Sequence, residues 1–247
     1  MLEGLKNAME YVVGLSKVAE EPKVLEIKGK TYCNKDLIRY GEEVLAKEIT
    51  ANTLTAIVDY IKQKPEELRE SSILHIVSPS QVRLYSGFLE DQRREYLFRT
   101  DAIVNEFIFD KWYDQERFII ELQANFIRND DIEKIMLVAG NIKAGTTANY
   151  DDDGISQKTT IKSGIANNSD VIVPNPVRLR PYRTFNEIEQ PESAYVFRIR
   201  DNGGEPNFKL VEAEGGVWKN VAMKKMKEYL EYELADELKE NNITVIA

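Results

Sequence analysis

Three consecutive aspartates, Asp151-Asp152-Asp153, followed by Gly154, form the densest carboxylate cluster in the chain. Carboxylates are hard oxygen ligands suited to a divalent cation. A calcium loop, however, alternates its ligands as D-x-D-x-D-G and closes with a Glu at its twelfth position. Here the aspartates are contiguous and no Glu follows until Glu187. Asp151 and Asp153 are therefore the only metal candidates, and the simpler reading is a solvated turn opening a strand. A metal-dependent hydrolase using this run with distant carboxylates is the one enzyme reading left open. His75 is the single imidazole and Cys33 the single thiol. That excludes His-rich metal sites, a disulfide framework and Cys-based zinc or iron–sulfur centres within one chain. No G-x-S-x-G surrounds a serine. Gly140-Asn141-Ile142-Lys143-Ala144-Gly145-Thr146 lacks the phosphate-loop spacing and follows a helical pattern. His75, inside the apolar run Ile73–Val77, reads as a satisfied, partly buried histidine, and Cys33 as a small core residue. The expectation is a non-catalytic protein without a cofactor.

Cationic residues offer a different chemistry. The 247 residues hold 33 Lys or Arg against 42 Asp or Glu, a formal net charge of −9. Residues 177–227 run the other way, with ten Lys or Arg against seven acids, so this stretch carries +3 and the remainder −12. Alternate side chains of a strand share a face. Period two places Arg178, Arg180 and Tyr182 together, opposite Val177 and Leu179. It places Arg198 and Arg200 with Val196, opposite Tyr195, Phe197 and Ile199. Paired in register, those strands form a basic face with an aromatic, a form that binds phosphate backbones and single-stranded bases. The competing arrangement pairs these arginines with Glu187, Glu189, Glu192 or a second copy. Lys219, Lys224, Lys225 and Lys227 fill the N-terminal half of the last predicted helix, with Glu231, Glu233, Asp236, Glu237 and Glu240 beyond them. That polarity opposes the helix dipole by about 0.3–1 kcal/mol per misplaced end charge. It suits charges used across an interface or against an anion. Lys219 and Lys224 thus join the arginines and Tyr182 as candidate anion- or nucleic-acid-binding residues.

The elements that must carry these groups follow from periodicity. Leu2, Leu5, Met9, Val12 and Val13 recur at helical spacing until Glu20-Glu21-Pro22. Lys28-Gly29-Lys30 turns a small hairpin, and Asn34 or Asp36 is a candidate start for a short helix reaching Leu45. Leu54, Ile57, Val58 and Ile61 share a helix face that stops before Pro65. Ile73–Val77, Val82–Tyr85 and Tyr96–Phe98 read as an antiparallel pair or meander. Two helices follow, over about 115–127 and 131–143, the second opened by a capping-box pattern of Asp130 with Glu133. Strands return at 158–162, 171–173, 177–180, 195–200 and 208–211. Ala222, Met226, Leu230, Leu234 and Leu238 mark one long helix, and Ile243–Ile246 a terminal strand for a sheet of the same chain or of a neighbour. Segregated strands and helices predict α+β: antiparallel sheets packed by amphipathic helices, with a helical N-terminal third. Residues 1–68 are expected as an N-terminal helical region with a hairpin and 69–247 as the main domain, or both as one continuous domain. No apolar run approaches the roughly 20 residues of a membrane span, and the N-terminus lacks a signal-peptide pattern. A soluble, cytoplasmic protein without membrane contact is expected.

From Glu116 to Leu230 the order of motifs is distinctive. Phe118-Ile119-Ile120-Glu121-Leu122, Ala139-Gly140-Asn141-Ile142-Lys143 and Asp153-Gly154-Ile155-Ser156-Gln157 precede the string Val173-Pro174-Asn175-Pro176-Val177-Arg178-Leu179-Arg180-Pro181-Tyr182-Arg183-Thr184-Phe185. Glu189-Gln190-Pro191 and Glu212-Ala213-Glu214-Gly215-Gly216-Val217-Trp218 complete it. This half of the chain resembles uncharacterised phage and prophage proteins of Gram-positive bacteria and, in its order of elements, is similar to the YfdQ-like prophage family. The string marks a family and is no catalytic motif, so no active residue or cofactor carries over. The resemblance implies a phage-encoded protein in the host cytoplasm that acts by binding. A self-assembling homo-oligomer that acts by protein binding, with a host protein as a candidate partner, is the expected function. The alternative is a single-stranded nucleic-acid or nucleotide-binding module using the 177–227 basic face, in replication, recombination or anti-defence.

Overall fold

A computed structural model of the chain describes residues 2–20, 22–35, 45–63, 71–90, 92–105, 107–142, 149–152, 157–160, 173–240 and 242–247. The chain divides into two compact units, Met1–Leu45 and Ala46–Ala247. In the first, the 3–4 apolar spacing forms helix α1 (Leu2–Glu20). Strands β1 (Val24–Ile27) and β2 (Lys30–Cys33) pair antiparallel. Lys28 and Gly29 turn that hairpin with φ of 52° and 71°, the left-handed pair of a two-residue loop. Every side chain described between residues 2 and 34 is exposed. Cys33 is therefore not a core residue: it is a free, exposed thiol, because a two-stranded ribbon has no second layer to cover it. Residues 36–44, where a short helix was expected, lie outside the described residues.

The second unit is α+β and holds, among the described residues, two larger sheets, each with its own core, and one two-stranded pair. The first sheet is ordered β13-β4-β5-β6-β3. Its centre is the antiparallel meander β4 (Ile73–Ser78), β5 (Gln81–Tyr85) and β6 (Tyr96–Asp101). β3 (Ile49–Ala51) lies parallel on β6, and β13 (Thr244–Ile246) parallel on β4. The terminal strand thus completes a sheet of its own chain and covers an edge that would otherwise recruit strands. Leu74, Ile76, Val82 and Leu84 are fully buried on one face, under α2 (Leu54–Gln63) and α5 (Trp218–Glu233). His75 lies on the opposite face, half-buried, its ring 6.0 Å from that of Tyr85.

The second sheet is ordered β10-β11-β12-β7, from β7 (Tyr113–Asp114), β10 (Val177–Leu179), β11 (Ser193–Asn202) and β12 (Glu205–Glu212), all antiparallel. Gly203 and Gly204, with φ of 69° and 93°, turn the β11–β12 hairpin. Tyr195, Phe197, Ile199, Phe208 and Leu210 face α3 (Gln115–Asn125) and α4 (Asp130–Asn141). Phe118 of α3 stacks on Phe208 and Phe197 at 5.2 and 5.9 Å.

Several local expectations shift. α3 ends at Asn125 because Phe126 turns extended and bridges Pro181. The cap of α4 is Asn129, whose Oδ1 accepts from the Ile132 N–H at 2.9 Å, so Asp130 is already the first helical residue. The long C-terminal helix divides into α5 and α6 (Ala235–Glu240) around Leu234, although Ala222, Met226, Leu230 and Leu234 are all fully buried as their spacing requires. Strands β8 (Asn149–Asp152) and β9 (Gln157–Thr160) pair antiparallel, with Asp151 on β8; Asp153 lies outside the described residues.

Candidate functional site

The second sheet has one face on its core and one outer face, and the outer face gathers part of the basic set. Arg178 lies opposite Ala194, Arg198 opposite Lys209, and Arg200 opposite Asn207. Directly opposed residues of an antiparallel pair share a face, so Arg178, Arg198, Arg200 and Lys209 stand together. Trp112, just before β7, receives the Arg200 guanidinium at 4.3 Å and the Lys209 ammonium at 5.0 Å from its ring centre. Lys209 also pairs with Asp110 at 2.6 Å, and Arg178 with Glu214 at 2.8 Å. Among the described residues, Arg198 and Arg200 make no ion pair, and Arg198 Nη1 is buried without a hydrogen-bond partner. Opposed like charges such as Arg198 and Lys209 repel and destabilise a ladder. This face keeps them.

The remaining candidates lie elsewhere. β10 stops at Leu179 because Pro181 has no N–H to continue a ladder, so Arg180 and Tyr182 do not extend the Arg178 row. Arg180 instead pairs with Glu189 at 2.9 Å and Glu192 at 3.4 Å, two of the carboxylates named from sequence as competing partners. Lys225, 2.6 Å away, and then Arg180 hold the Glu189 carboxyl below its ordinary range. Lys219 and Lys224 sit on α5, which packs against the other sheet, and Lys224 lies 3.7 Å from Glu228. The seven residues therefore do not form one surface. Tyr182 and Lys219 instead line a cavity of about 490 Å³.

Sequence reasoning missed Lys209, Trp112 and Arg183. Lys209 was recoverable: a hairpin turned at Gly203-Gly204 that pairs Asn202 with Glu205 must also pair Arg198 with Lys209. Trp112 carries no such signal, since only the packing of β7 beside β12 brings it across. Arg183 is a buried organiser. Its Nη1 donates to the Tyr195 hydroxyl at 2.8 Å and to Glu212 at 3.1 Å, and its Nη2 donates to Ser193 Oγ and the Pro191 carbonyl. The Trp218 ring lies 3.9 Å from the guanidinium. Burial pulls the Arg183 guanidinium below its ordinary value, against the pull of Tyr195 and Glu212. Burial likewise pushes the Tyr195 hydroxyl well above the usual tyrosine range.

No group of three His, Cys, Asp or Glu among the described residues could hold a metal ion. No helix among them is long and apolar enough to cross a membrane. No family model, curated protein or solved structure matches this chain.

Proposed function

We propose that this protein is a non-catalytic binding protein that assembles with copies of itself through its N-terminal unit. One observation carries the reading. Leu2, Leu5, Met9, Val12, Val13 and Leu15 on α1 are 53–88% exposed, and Val24, Leu25, Ile27 and Tyr32 on the hairpin 51–63%. A lone helix of this length and a lone two-stranded hairpin are each marginal in water. Apolar exposure on that scale marks an interaction surface. The alternating steps of three and four from Leu2 through Leu5 and Met9 to Val12 repeat as in a two-stranded coil, so the stripe complements a second copy of itself. The phage-like string between Val173 and Phe185 supports placing such an assembly among phage accessory proteins of the host cytoplasm. Light scattering on the full chain tests the reading. A mass above the 28.4 kDa of one chain is expected, falling to that value in Leu5→Glu/Met9→Glu/Val12→Glu. A wild-type monomer at all concentrations overturns it.

A second reading rests on a separate observation, the gathering of Arg198, Arg200 and Lys209 around Trp112 on an open sheet face. Cations beside an aromatic favour a single-stranded nucleic acid, whose bases stack and whose phosphates release counterions. Arg198→Ala/Arg200→Ala/Lys209→Ala is expected to weaken binding to a single-stranded oligonucleotide. It should also flatten the salt dependence by about two in log–log slope, at roughly 0.7 per lost phosphate contact. Unchanged affinity and slope in the variant removes this reading.

A further inference from the structure

The cavity of about 490 Å³ opens where the two layers of the second unit meet. The β4–β5 turn, the connector after β6, the end of α3, residues 181–183 and the first turn of α5 all contribute to its wall. That volume lies within the range of sites for small organic ligands, and the seam between two cores is a common place for one. Its position is held by backbone bonds. The Tyr182 N–H donates to the Asn125 carbonyl at 2.8 Å, and the Ile127 N–H to the Arg180 carbonyl at 2.9 Å.

The lining is aromatic at Phe107, Phe109, Tyr182 and Trp218 and polar at Asn125, Arg183, Glu212 and Lys219, with Arg183 stacked on Trp218. Two of the polar side chains are incompletely satisfied. Asn125 is only 3% exposed, and its Nδ2 donates to the Glu121 carbonyl and carboxylate at 3.0 and 2.6 Å. Its Oδ1 is buried with no donor. Arg183 uses both terminal nitrogens, yet its Nε is buried with no acceptor. A buried acceptor and a buried donor without partners each cost about 1–3 kcal/mol, and both residues line the same space. The third feature is charge. Arg183 and Lys219 outweigh Glu212 by one in a chain of net −9. Lys219 is exposed and makes no ion pair among the described residues. The first turn of α5 beside it holds no acidic residue and no side-chain cap, so the helix dipole adds to the positive end.

We infer that this cavity is a binding site for a planar heteroaromatic anion of the nucleoside monophosphate class. The flat ring lies against the aromatic lining, including Tyr182 and Trp218. Its edge, which carries both donors and acceptors as a nucleobase does, faces the polar lining of Asn125 and Arg183, whose Oδ1 and Nε lie beneath the cavity surface without partners. Its anionic group lies toward Lys219 and the first turn of α5. A purely apolar ligand would leave the Lys219 ammonium and the polar lining unused, and a bare phosphate would leave the aromatic lining unused. This site is separate from the Arg198–Arg200 sheet face and independent of the N-terminal unit.

Isothermal titration of the full chain with AMP, GMP, CMP and UMP tests the inference, with inorganic phosphate and the parent nucleosides as separate arms. Saturable binding of at least one monophosphate is expected, weakened about tenfold or more for its nucleoside, with no binding of phosphate alone. Trp218 fluorescence, isolated in Trp112→Phe, should change along the same isotherm. Lys219→Ala and Tyr182→Ala, both at partly exposed positions, should each weaken binding about tenfold with melting temperatures near wild type. Asn125→Leu should do the same if it folds, and the other two variants decide the matter if it does not. The inference is overturned by no saturation by any monophosphate at millimolar concentration, by equal binding of phosphate alone, or by binding that survives Lys219→Ala and Tyr182→Ala. Loss in Arg200→Ala with retention in Lys219→Ala would assign the ligand to the sheet face and also overturn it.

Discussion

At the scale of single residues, Arg183 bears the largest consequence. It is one-tenth exposed and serves Tyr195, Glu212, Ser193, Pro191 and the Trp218 ring together. Breaking a buried pair from one side leaves the other charge uncompensated, at about 3–5 kcal/mol. Arg183→Leu is therefore expected to lower the unfolding free energy by that amount, read as a lower urea midpoint with the slope unchanged. Arg183→Lys should recover little, because an ammonium cannot reproduce the planar fork. The buried Tyr195 hydroxyl sets an alkaline limit. Its pKa is raised in the native state, whereas an unfolded tyrosine ionises near about pH 10. The unfolded chain then binds fewer protons than the native one, so stability is full below about pH 10 and falls as pH rises beyond it. Tyr113 is raised by burial as well and acts in the same direction. Melting curves across the alkaline range should show this fall, and Tyr195→Phe should make it shallower.

At the scale of elements, the caps and edges separate what periodicity shows from what it hides. The pattern D-x-x-E pointed to Asp130 as the cap of α4, but Asn129 holds the Ile132 N–H and also donates to the Arg178 carbonyl at 2.7 Å. Asn129→Ala is expected to cost about 1–2 kcal/mol and Asp130→Ala less, measured by chemical denaturation. The ranking reverses if Asp130 is the cap. The helix faces of α2, α3, α4 and α5 were all legible because each buries its apolar residues at the spacing read from sequence. The end of β10 was half legible, since Pro181 already forbade a continued ladder. The parallel placement of β13 on β4 was not, because a three-residue strand carries no sign of its partner. The split of the last helix at Leu234 was also hidden, since the residues on both sides keep the same four-residue spacing.

At the scale of the whole molecule, the second unit has two hydrophobic clusters. Leu122 lies in one cluster and Ile57 in the other, both fully buried. Leu122→Ala and Ile57→Ala should each cost about 2–5 kcal/mol. In the double variant the costs should add to within about 0.5 kcal/mol, since distant sites without shared partners add. A double variant much less destabilised than the sum would show the clusters unfolding separately. Sequence alone determined the α+β class, the amphipathic faces, and the local excess of cations within an acidic chain. These are properties of composition and short periodicity, which the backbone repeats of 3.6 and 2 translate directly into faces. Only tertiary structure decided which cations stand together, that Tyr182 and Lys219 meet at a cavity instead of on the sheet, and that Asn125 and Arg183 there keep unpaired polar atoms. Those facts depend on pairing between residues tens of positions apart, and the order of side chains along a strand or helix does not encode its neighbour.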